Sequence, residues 1–185
     1  MTVHIATRVP AGAADAAVAA RGAGLQKAIG VARIIMGFTF FWAFIDKVIG
    51  LGFATPAERA WINGGSPTTG FLSNATAESP FAGVFNALAG SVIVDWLFML
   101  GLLGVGLSLM LGIGVRVGAV AGAAMLLLMY LAEFPLTLTG ATNPLVDSHI
   151  VDITVMAVVF FAVADQRYSF ARPWRAIVGD KTWLW

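Results

Sequence analysis

Four long apolar runs dominate the chain, and polar or glycine-rich stretches separate them. The runs cover residues 28–51, 92–114, 117–136 and 148–164. A helix needs ~20 apolar residues to cross the hydrocarbon core of a bilayer. The first three runs reach about that length, and the fourth is short, so we expect it to begin a little earlier. The pattern predicts an all-α polytopic membrane protein built as an antiparallel bundle of four transmembrane helices.

Composition supports a membrane protein. The chain has 185 residues, of which 59% are hydrophobic and only 11% are charged, whereas a soluble domain carries about 25% charged residues. We therefore expect the lipid bilayer to be its main partner. The net charge of +1 gives no bulk attraction to nucleic acid, so no nucleic-acid partner is expected.

The apolar runs divide the chain into three parts. Residues 1–27 form an N-terminal tail that lacks the apolar core of a signal peptide. We expect residues 1–24 to be mobile or at most a weak surface helix. Residues 28–166 form the transmembrane domain, with residues 52–90 as an outer loop, and residues 167–185 form an interfacial tail rich in Trp, Arg and Lys.

Basic residues predict the orientation of the four crossings. They concentrate before the first run, between the second and third, and after the fourth: Arg8, Arg21, Lys27, Arg33, Arg116, Arg167, Arg172, Arg175 and Lys181. The other two connections hold few, notably Arg59. Cytoplasmic loops carry the excess of Lys and Arg. The sequence thus predicts a multi-pass plasma-membrane protein with both termini in the cytoplasm.

The outer loop, residues 52–90, shows signs of local order. The sequence Thr55-Pro56-Ala57-Glu58 matches a capping box with proline at the first helical position, which predicts a short helix to about Ile62. A second helix is predicted to start at Ser79-Pro80. Its apolar stripe consists of Phe81, Val84, Phe85 and Leu88. We expect the loop to act as an outer lid, which lies flat at the interface or over the mouth of the bundle.

Small residues recur in the second and third runs. Gly104, Ser108 and Gly112 are four residues apart, and Gly118 and Gly122 repeat that spacing. Small side chains let transmembrane helices approach closely. We therefore interpret this pattern as helix packing rather than as a ligand site.

The sequence excludes several redox centres. It contains no cysteine, so disulfides, thiolate nucleophiles and cysteine-ligated iron–sulfur clusters are ruled out. A single histidine in the apolar runs argues against a bis-histidine haem within one subunit. No metal site is predicted.

Ionisable residues gather toward the outer ends of the predicted helices: Asp46, Lys47, Asp95, Glu133, Asp147, His149 and Asp152. Such groups near a membrane interior are costly and suggest function, although Asp95, Glu133 and Asp147 are also explained as ordinary helix-end charges. His149 and Asp152 are three residues apart and share a helix face.

In the first run, the Asp46–Lys47 pair is either interfacial or turned partly into the bundle. The spacing of Arg33, Gly37, Phe40, Phe44 and Lys47 makes Lys47 the better inward candidate. We expect Arg33 to extend its side chain to the inner surface.

The chain resembles the DoxX/DoxD family of four-helix membrane proteins. The resemblance covers residues 27–174. The residues that carry it are Arg33 and Gly37, Asp46-Lys47, the stretch from Asp95-Trp96 to Gly101, and Asn143-Pro144 with Asp147 and His149. The loop from Gly52-Phe53 to Ser66-Pro67 resembles the long-loop branch labelled as the large subunit of thiosulfate:quinone oxidoreductase. Other members are linked to membrane complexes that handle oxidative stress.

This resemblance implies a quinone-linked oxidoreductase subunit that oxidises a small sulfur anion at the outer face. A quinone needs an apolar, aromatic slot, for which we name Phe40, Phe44, Trp96 and Met99. His149 and Asp152 would relay protons, and the predicted catalytic set also includes Lys47 and Glu133. The predicted substrate site consists of Lys47 and Arg59, which would attract the anion, together with Asp46 and Asp95. No internal electron carrier is evident, so a second subunit would carry electrons.

A second hypothesis from another class is a non-catalytic scaffold that anchors soluble redox enzymes. In that case the outer charges only brace helix ends, and residues 165–185 carry the interaction. Both hypotheses leave open a second subunit, a soluble redox partner and a homo-oligomer.

The orientation is testable by labelling. A cysteine placed at Ser66 should react with a membrane-impermeant maleimide in intact cells, because the arginine distribution puts residues 63–77 outside. Protection at Ser66 together with labelling of a cysteine placed at Thr2 would reverse the assignment.

Overall fold

The computed structural model describes residues 11–162 and 167–185, and every regular element in these ranges is helical. The α-helices are α1 (Ala11–Ile49), α2 (Ala82–Leu88), α3 (Val92–Leu111), α4 (Val115–Ala132), α5 (Ser148–Phe161) and α6 (Ala171–Val178). Short 3-10 helices cover Ala57–Arg59, Trp61–Asn63 and Thr182–Leu184, and a π-helical turn covers Phe71–Ala75. The all-α prediction is therefore confirmed for the described residues.

Three of these helices are long and apolar enough to cross a membrane: Val18–Ile49, Val92–Leu111 and Val115–Ala132. Helix α5 is apolar but has only 14 residues, short of the ~20 that a full crossing requires. The membrane assignment rests on the three long helices, and the fourth crossing stays a prediction.

Helix α1 begins much earlier than its apolar run. It is continuous from Ala11 to Ile49, a length of 39 residues. From Ala11 onward the mobile alternative is therefore wrong and the helical alternative applies; residues 1–10 lie outside the described part of the chain. The sequence from Ala11 to Leu25 is rich in alanine, which has the highest helix propensity, and it continues the helix without a break. Arg21 and Leu25 on this extension are exposed.

Helices α1 and α3 cross with their backbones in close contact. A Cβ on Gly37 would lie 2.7 Å from the amide nitrogen of Met110, and a Cβ on Gly106 would lie 2.8 Å from the amide nitrogen of Phe41. These distances leave no room for a side chain at either position. These two glycines therefore allow α1 and α3 to pack closely, although neither belongs to the small-residue face named from the sequence.

Only some of the small residues predicted to pack between helices make such contacts. Gly118 on α4 packs against Ser108, and Gly122 packs against Met156 of α5, whose methyl carbon would lie 2.6 Å from an added Cβ. Gly104 instead faces open space. Gly112 has a left-handed backbone (φ 71°) and ends α3, a conformation that favours glycine. Four-residue spacing in the sequence did not distinguish the glycines that pack between helices from the one that faces open space or the one that ends a helix.

The core lies where α1, α3, α4 and α5 meet. Met99, Leu109 and Val115 have no exposed surface, and Met156 has 1%. Large apolar residues on the opposite faces, such as Leu97 and Leu128, are more than half exposed. Apolar residues on the outside of long apolar helices are expected when the surrounding solvent is lipid.

Arg33 is buried at the end of the bundle opposite the long loop. It is 1% exposed, and its guanidinium donates to the carbonyl oxygens of Leu109, Met110 (3.4 Å), Arg167 (3.2 Å) and Tyr168 (2.8 Å). The expectation that this side chain reaches the inner surface is therefore wrong. Its charge lies at the C-terminal end of α3, where unpaired carbonyls and the helix dipole both favour a cation.

The loop helices differ from the capping-box prediction. Pro56, not Thr55, is the N-cap residue of the 3-10 helix Ala57–Arg59, and no side chain caps it. Thr55 is buried, and its carbonyl oxygen accepts from the Gly52 amide at 3.0 Å. Two 3-10 turns with a break at Ala60 replace the single helix.

Helix α2 starts two residues later than Ser79-Pro80 at Ala82. Only Phe85 of its predicted stripe is buried; it clusters with Leu72 and Ala132. The Ser79 hydroxyl donates to the Leu131 carbonyl at 2.7 Å, so the segment before α2 is tied to the end of α4. The lid role remains a prediction.

The C-terminal segment returns to the start of α4. The Arg116 amide donates to the Trp185 carbonyl at 2.8 Å, and the Phe170 amide donates to the Leu111 carbonyl at 2.8 Å. The indole of Trp174 donates to the Leu184 carbonyl at 2.6 Å. Residues 167–185 therefore close the same end of the bundle that holds Arg33.

Replacing Arg33 with Met should destabilise the protein. Hydrogen bonds to a charged donor contribute about 1.5–3 kcal/mol each and are not additive, so we expect a loss on the order of 3 kcal/mol. Thermal unfolding in detergent measures this loss of stability. The control is Arg21→Met, which replaces an exposed arginine of the same helix. Equal midpoints for the two variants would show that the Arg33 contacts do not stabilise the fold.

Candidate functional site

The end of the bundle that carries the long loop holds two buried carboxylates. Asp46, near the end of α1, is 1% exposed. Its side chain accepts from the amide of Phe53 at 3.3 Å and from that of Ala54 at 3.0 Å. The chain turns sharply there, and Gly50 has a left-handed backbone (φ 73°) packed against Ala57. Asp46 therefore fixes the turn that starts the loop.

Asp95 does the same for a later part of the loop. It lies in the first turn of α3 and is 7% exposed. One carboxylate oxygen accepts from the Ser66 hydroxyl at 2.8 Å, the Thr68 amide at 3.2 Å and the Thr68 hydroxyl at 2.5 Å. Both predicted substrate-site carboxylates thus hold the loop against α1 and α3, and a contact with substrate stays a prediction.

Lys47 is only partly buried, although its neighbour Asp46 is fully buried. Its ammonium nitrogen lies 5.9 Å from the centre of the Phe98 ring, a distance at which a cation–π interaction operates. The sequence argument favoured Lys47 over Asp46 as the inward residue; the structure buries Asp46 more deeply. Arg59 is exposed in its 3-10 helix, so it is accessible to an anion.

The start of α5 brings an aspartate and a histidine together. Asp147 is the N-cap residue, and its side chain accepts from the Ile150 amide at 3.2 Å. The same carboxylate contacts Nδ1 of His149 at 2.6 Å. These two contacts use both oxygens of Asp147, and they fix the position of the imidazole ring. We call this pair the Asp147–His149 dyad.

The contacts of Asp147 also set its acidity. Burial raises the pKa of this carboxyl, but the hydrogen bonds from His149 and from the Ile150 amide, with the charge of His149, outweigh it and hold the pKa below its usual value. Its stabilising contribution is therefore complete above the usual carboxyl pKa and is lost as the pH falls through the lowered value.

The turn before the dyad is anchored to α4. The Asn143 side chain accepts from the amides of Leu145 (2.9 Å) and Val146 (3.0 Å). The Tyr130 hydroxyl donates to the Leu145 carbonyl at 2.8 Å. These bonds fix residues 143–147 relative to the end of α4, so the dyad sits on an ordered base.

Asp152 follows one turn after His149 on α5 and is partly buried. Within the described residues its carboxylate makes no hydrogen bond and no ion pair. The predicted pairing partners are engaged elsewhere: Nδ1 of His149 contacts Asp147, and Lys47 lies over Phe98. Asp147, which the sequence argument treated as a helix-end charge, is the residue that orients His149. The spacing Asp-x-His at the start of an apolar run could have signalled it.

Glu133 ends α4 as its C-cap residue. Its side chain is partly exposed and makes no hydrogen bond or ion pair in the described ranges, 11–162 and 167–185. The structure therefore leaves its carboxylate available but joins it to none of the other predicted catalytic residues.

Two of the four residues named for the quinone slot are packed in the core. Met99 has no exposed surface and Phe40 has 6%, and both belong to the packed core, with Phe44 against it. Trp96 is 53% exposed, and its ring stacks edge-on with Trp61 at 4.6 Å. Phe40 and Met99 are therefore used in core packing, and quinone binding stays a prediction.

Comparison with known proteins gives no further identification: no family model, no curated protein and no solved structure matches the chain. The resemblance to the DoxX/DoxD family rests on the sequence motifs alone.

The N-cap role of Asp147 can be separated from its charge. Asp147→Ala should lower stability by about 1 kcal/mol, whereas Asp147→Asn should change it little, because asparagine caps helices as well as aspartate does. Amide hydrogen exchange of residues 148–151 measures the effect directly. Equal exchange rates in the two variants would exclude a capping role.

Proposed function

We propose that this chain is a DoxX-like integral membrane subunit of a quinone-linked oxidoreductase that acts on a small sulfur anion such as thiosulfate. In this proposal α1, α3, α4 and α5 each cross the plasma membrane, with both termini in the cytoplasm and residues 52–90 outside. The positive-inside distribution of Arg and Lys supports the orientation.

The contact between Asp147 and His149 at 2.6 Å carries the proposal. An aspartate bound to Nδ1 fixes the tautomer of a histidine and leaves Nε2 to exchange protons. Asp152, which has no partner among the described residues, lies on the same helix one turn away. A histidine and an unpaired carboxylate one helical turn apart provide two groups for proton transfer.

Reduction of a quinone takes up two electrons and two protons, and this is the chemistry that the cofactor would supply when bound. Because Phe40 and Met99 of the predicted slot are packed in the core, we assign to this chain only the handling of protons at His149 and Asp152. Electrons from the anion would pass through a second subunit. Lys47 and the exposed Arg59 would attract the anion to the outer face.

A scaffold that anchors soluble redox enzymes is the second candidate, and two observations favour it. Asp46 and Asp95 hold the loop, and Phe40 and Met99 of the named slot are packed in the core. Helix α6 offers a surface for a partner, because Arg172 is exposed and Ile177 is 78% exposed.

Turnover of the purified membrane complex with thiosulfate and a short-chain quinone tests the proposal. His149→Gln and Asp152→Asn should each lower turnover by about 100-fold, the typical contribution of a positioned proton-transfer group. Asp180→Asn, at an exposed carboxylate in the C-terminal segment, is the matched control and should keep full activity.

The outcomes separate the two candidates. Full activity in a folded Asp152→Asn protein would exclude the proton relay. If no quinone-dependent turnover occurs and a soluble redox enzyme copurifies with the wild type but not with the double variant Arg172→Ser, Ile177→Ser, the scaffold is correct.

A further inference from the structure

A furrow runs along the joint surface of α4 and α5 and starts beside Arg116. Its wider part has a volume of about 480 Å³ and is lined by Val117, Val120, Ala124, Phe160 and Trp183. A narrower part of about 200 Å³ continues it and shares Val120 and Phe160. Apart from Arg116 and Thr182, the wide part is apolar.

Arg116 marks one end of the furrow. One of its terminal nitrogens donates to the Thr182 carbonyl at 2.9 Å, and the guanidinium carbon lies 5.7 Å from the centre of the Phe160 ring. Its Nε makes no hydrogen bond within the described residues. That Nε is buried, so it is the terminal nitrogens that can contact a ligand; only one hydrogen bond from them is made within the described residues, at the boundary where α4 begins.

The length of the furrow matches one leaflet of a bilayer. Arg116 and Ala124 are eight residues apart on α4, about 12 Å at a rise of 1.5 Å per residue. Half of the hydrocarbon core is about 15 Å thick. Since α4 is long and apolar enough to cross the membrane, a furrow on its exposed face lies in contact with acyl chains.

The charge around the Arg116 end is positive. Residues 167–185, which close this end of the bundle, contain Arg167, Arg172, Arg175 and Lys181 against Asp180 alone. Lys181 and Arg172 are exposed. Each basic residue near a membrane surface attracts anionic lipid by about 1 kcal/mol, so the surroundings favour a negatively charged headgroup.

We propose that the furrow is a binding site for one phospholipid with an anionic headgroup. An acyl chain lies between α4 and α5 against Phe160 and Trp183, and the phosphate group contacts Arg116. This inference needs only the membrane location of α4, so it stands or falls independently of the quinone-linked activity.

Native mass spectrometry of the full chain, with phosphatidylglycerol and phosphatidylcholine added in equal amounts, tests the site. The wild type should retain one phosphatidylglycerol. Ala124→Trp, which fills the furrow from an exposed position, should lose it. Gly104→Trp is the control, because a side chain at Gly104 meets open space on α3, and it should retain the lipid.

Arg116→Gln tests the headgroup contact. The variant should still bind a lipid, but its preference for phosphatidylglycerol should fall about fivefold, the equivalent of one basic residue. Equal binding by Ala124→Trp and Gly104→Trp would overturn the proposal. So would equal retention of the two lipids by the wild type.

Discussion

The buried guanidinium of Arg33 joins three parts of the protein that are far apart in sequence. It bonds carbonyl oxygens at the end of α3 and in residues 167–168 from its place on α1. A buried charge is costly unless hydrogen bonds compensate it, and free carbonyls at a helix end are equally costly. The terminal nitrogens of Arg33 and these carbonyls satisfy each other, so one side chain ties α1 to α3 and to residues 167–168.

At the opposite end of the bundle, which carries the long loop, two buried carboxylates hold the chain by accepting hydrogen bonds. Asp46 and Asp95 accept hydrogen bonds from loop residues near the ends of α1 and α3. Between the two ends, Gly37 and Gly106 allow α1 and α3 to touch. The bundle is therefore held by close packing in its middle and by compensated charges at its ends, which suits a medium where lipid supplies no hydrophobic force between helices.

This arrangement decides which ionisable residues remain for chemistry. The two most deeply buried carboxylates are used in structure, while Asp152 has no partner in the described ranges and His149 is oriented by Asp147. The proposed proton exchange is therefore assigned to α5. The positive groups divide in the same way, because Arg33 is fully buried against backbone carbonyls whereas Arg116 is only partly buried.

Sequence alone determined the helical class and the three long apolar helices, because hydropathy and length follow directly from residue type. It also located the Asp147–His149 region. It did not determine the extended start of α1, the packed state of Phe40 and Met99, or the burial of Arg33 and Asp46. Only the tertiary structure decided these features, because a charged residue near a helix end can face lipid, water or another helix. The choice depends on whether a distant segment, such as residues 167–168, arrives with unpaired backbone groups.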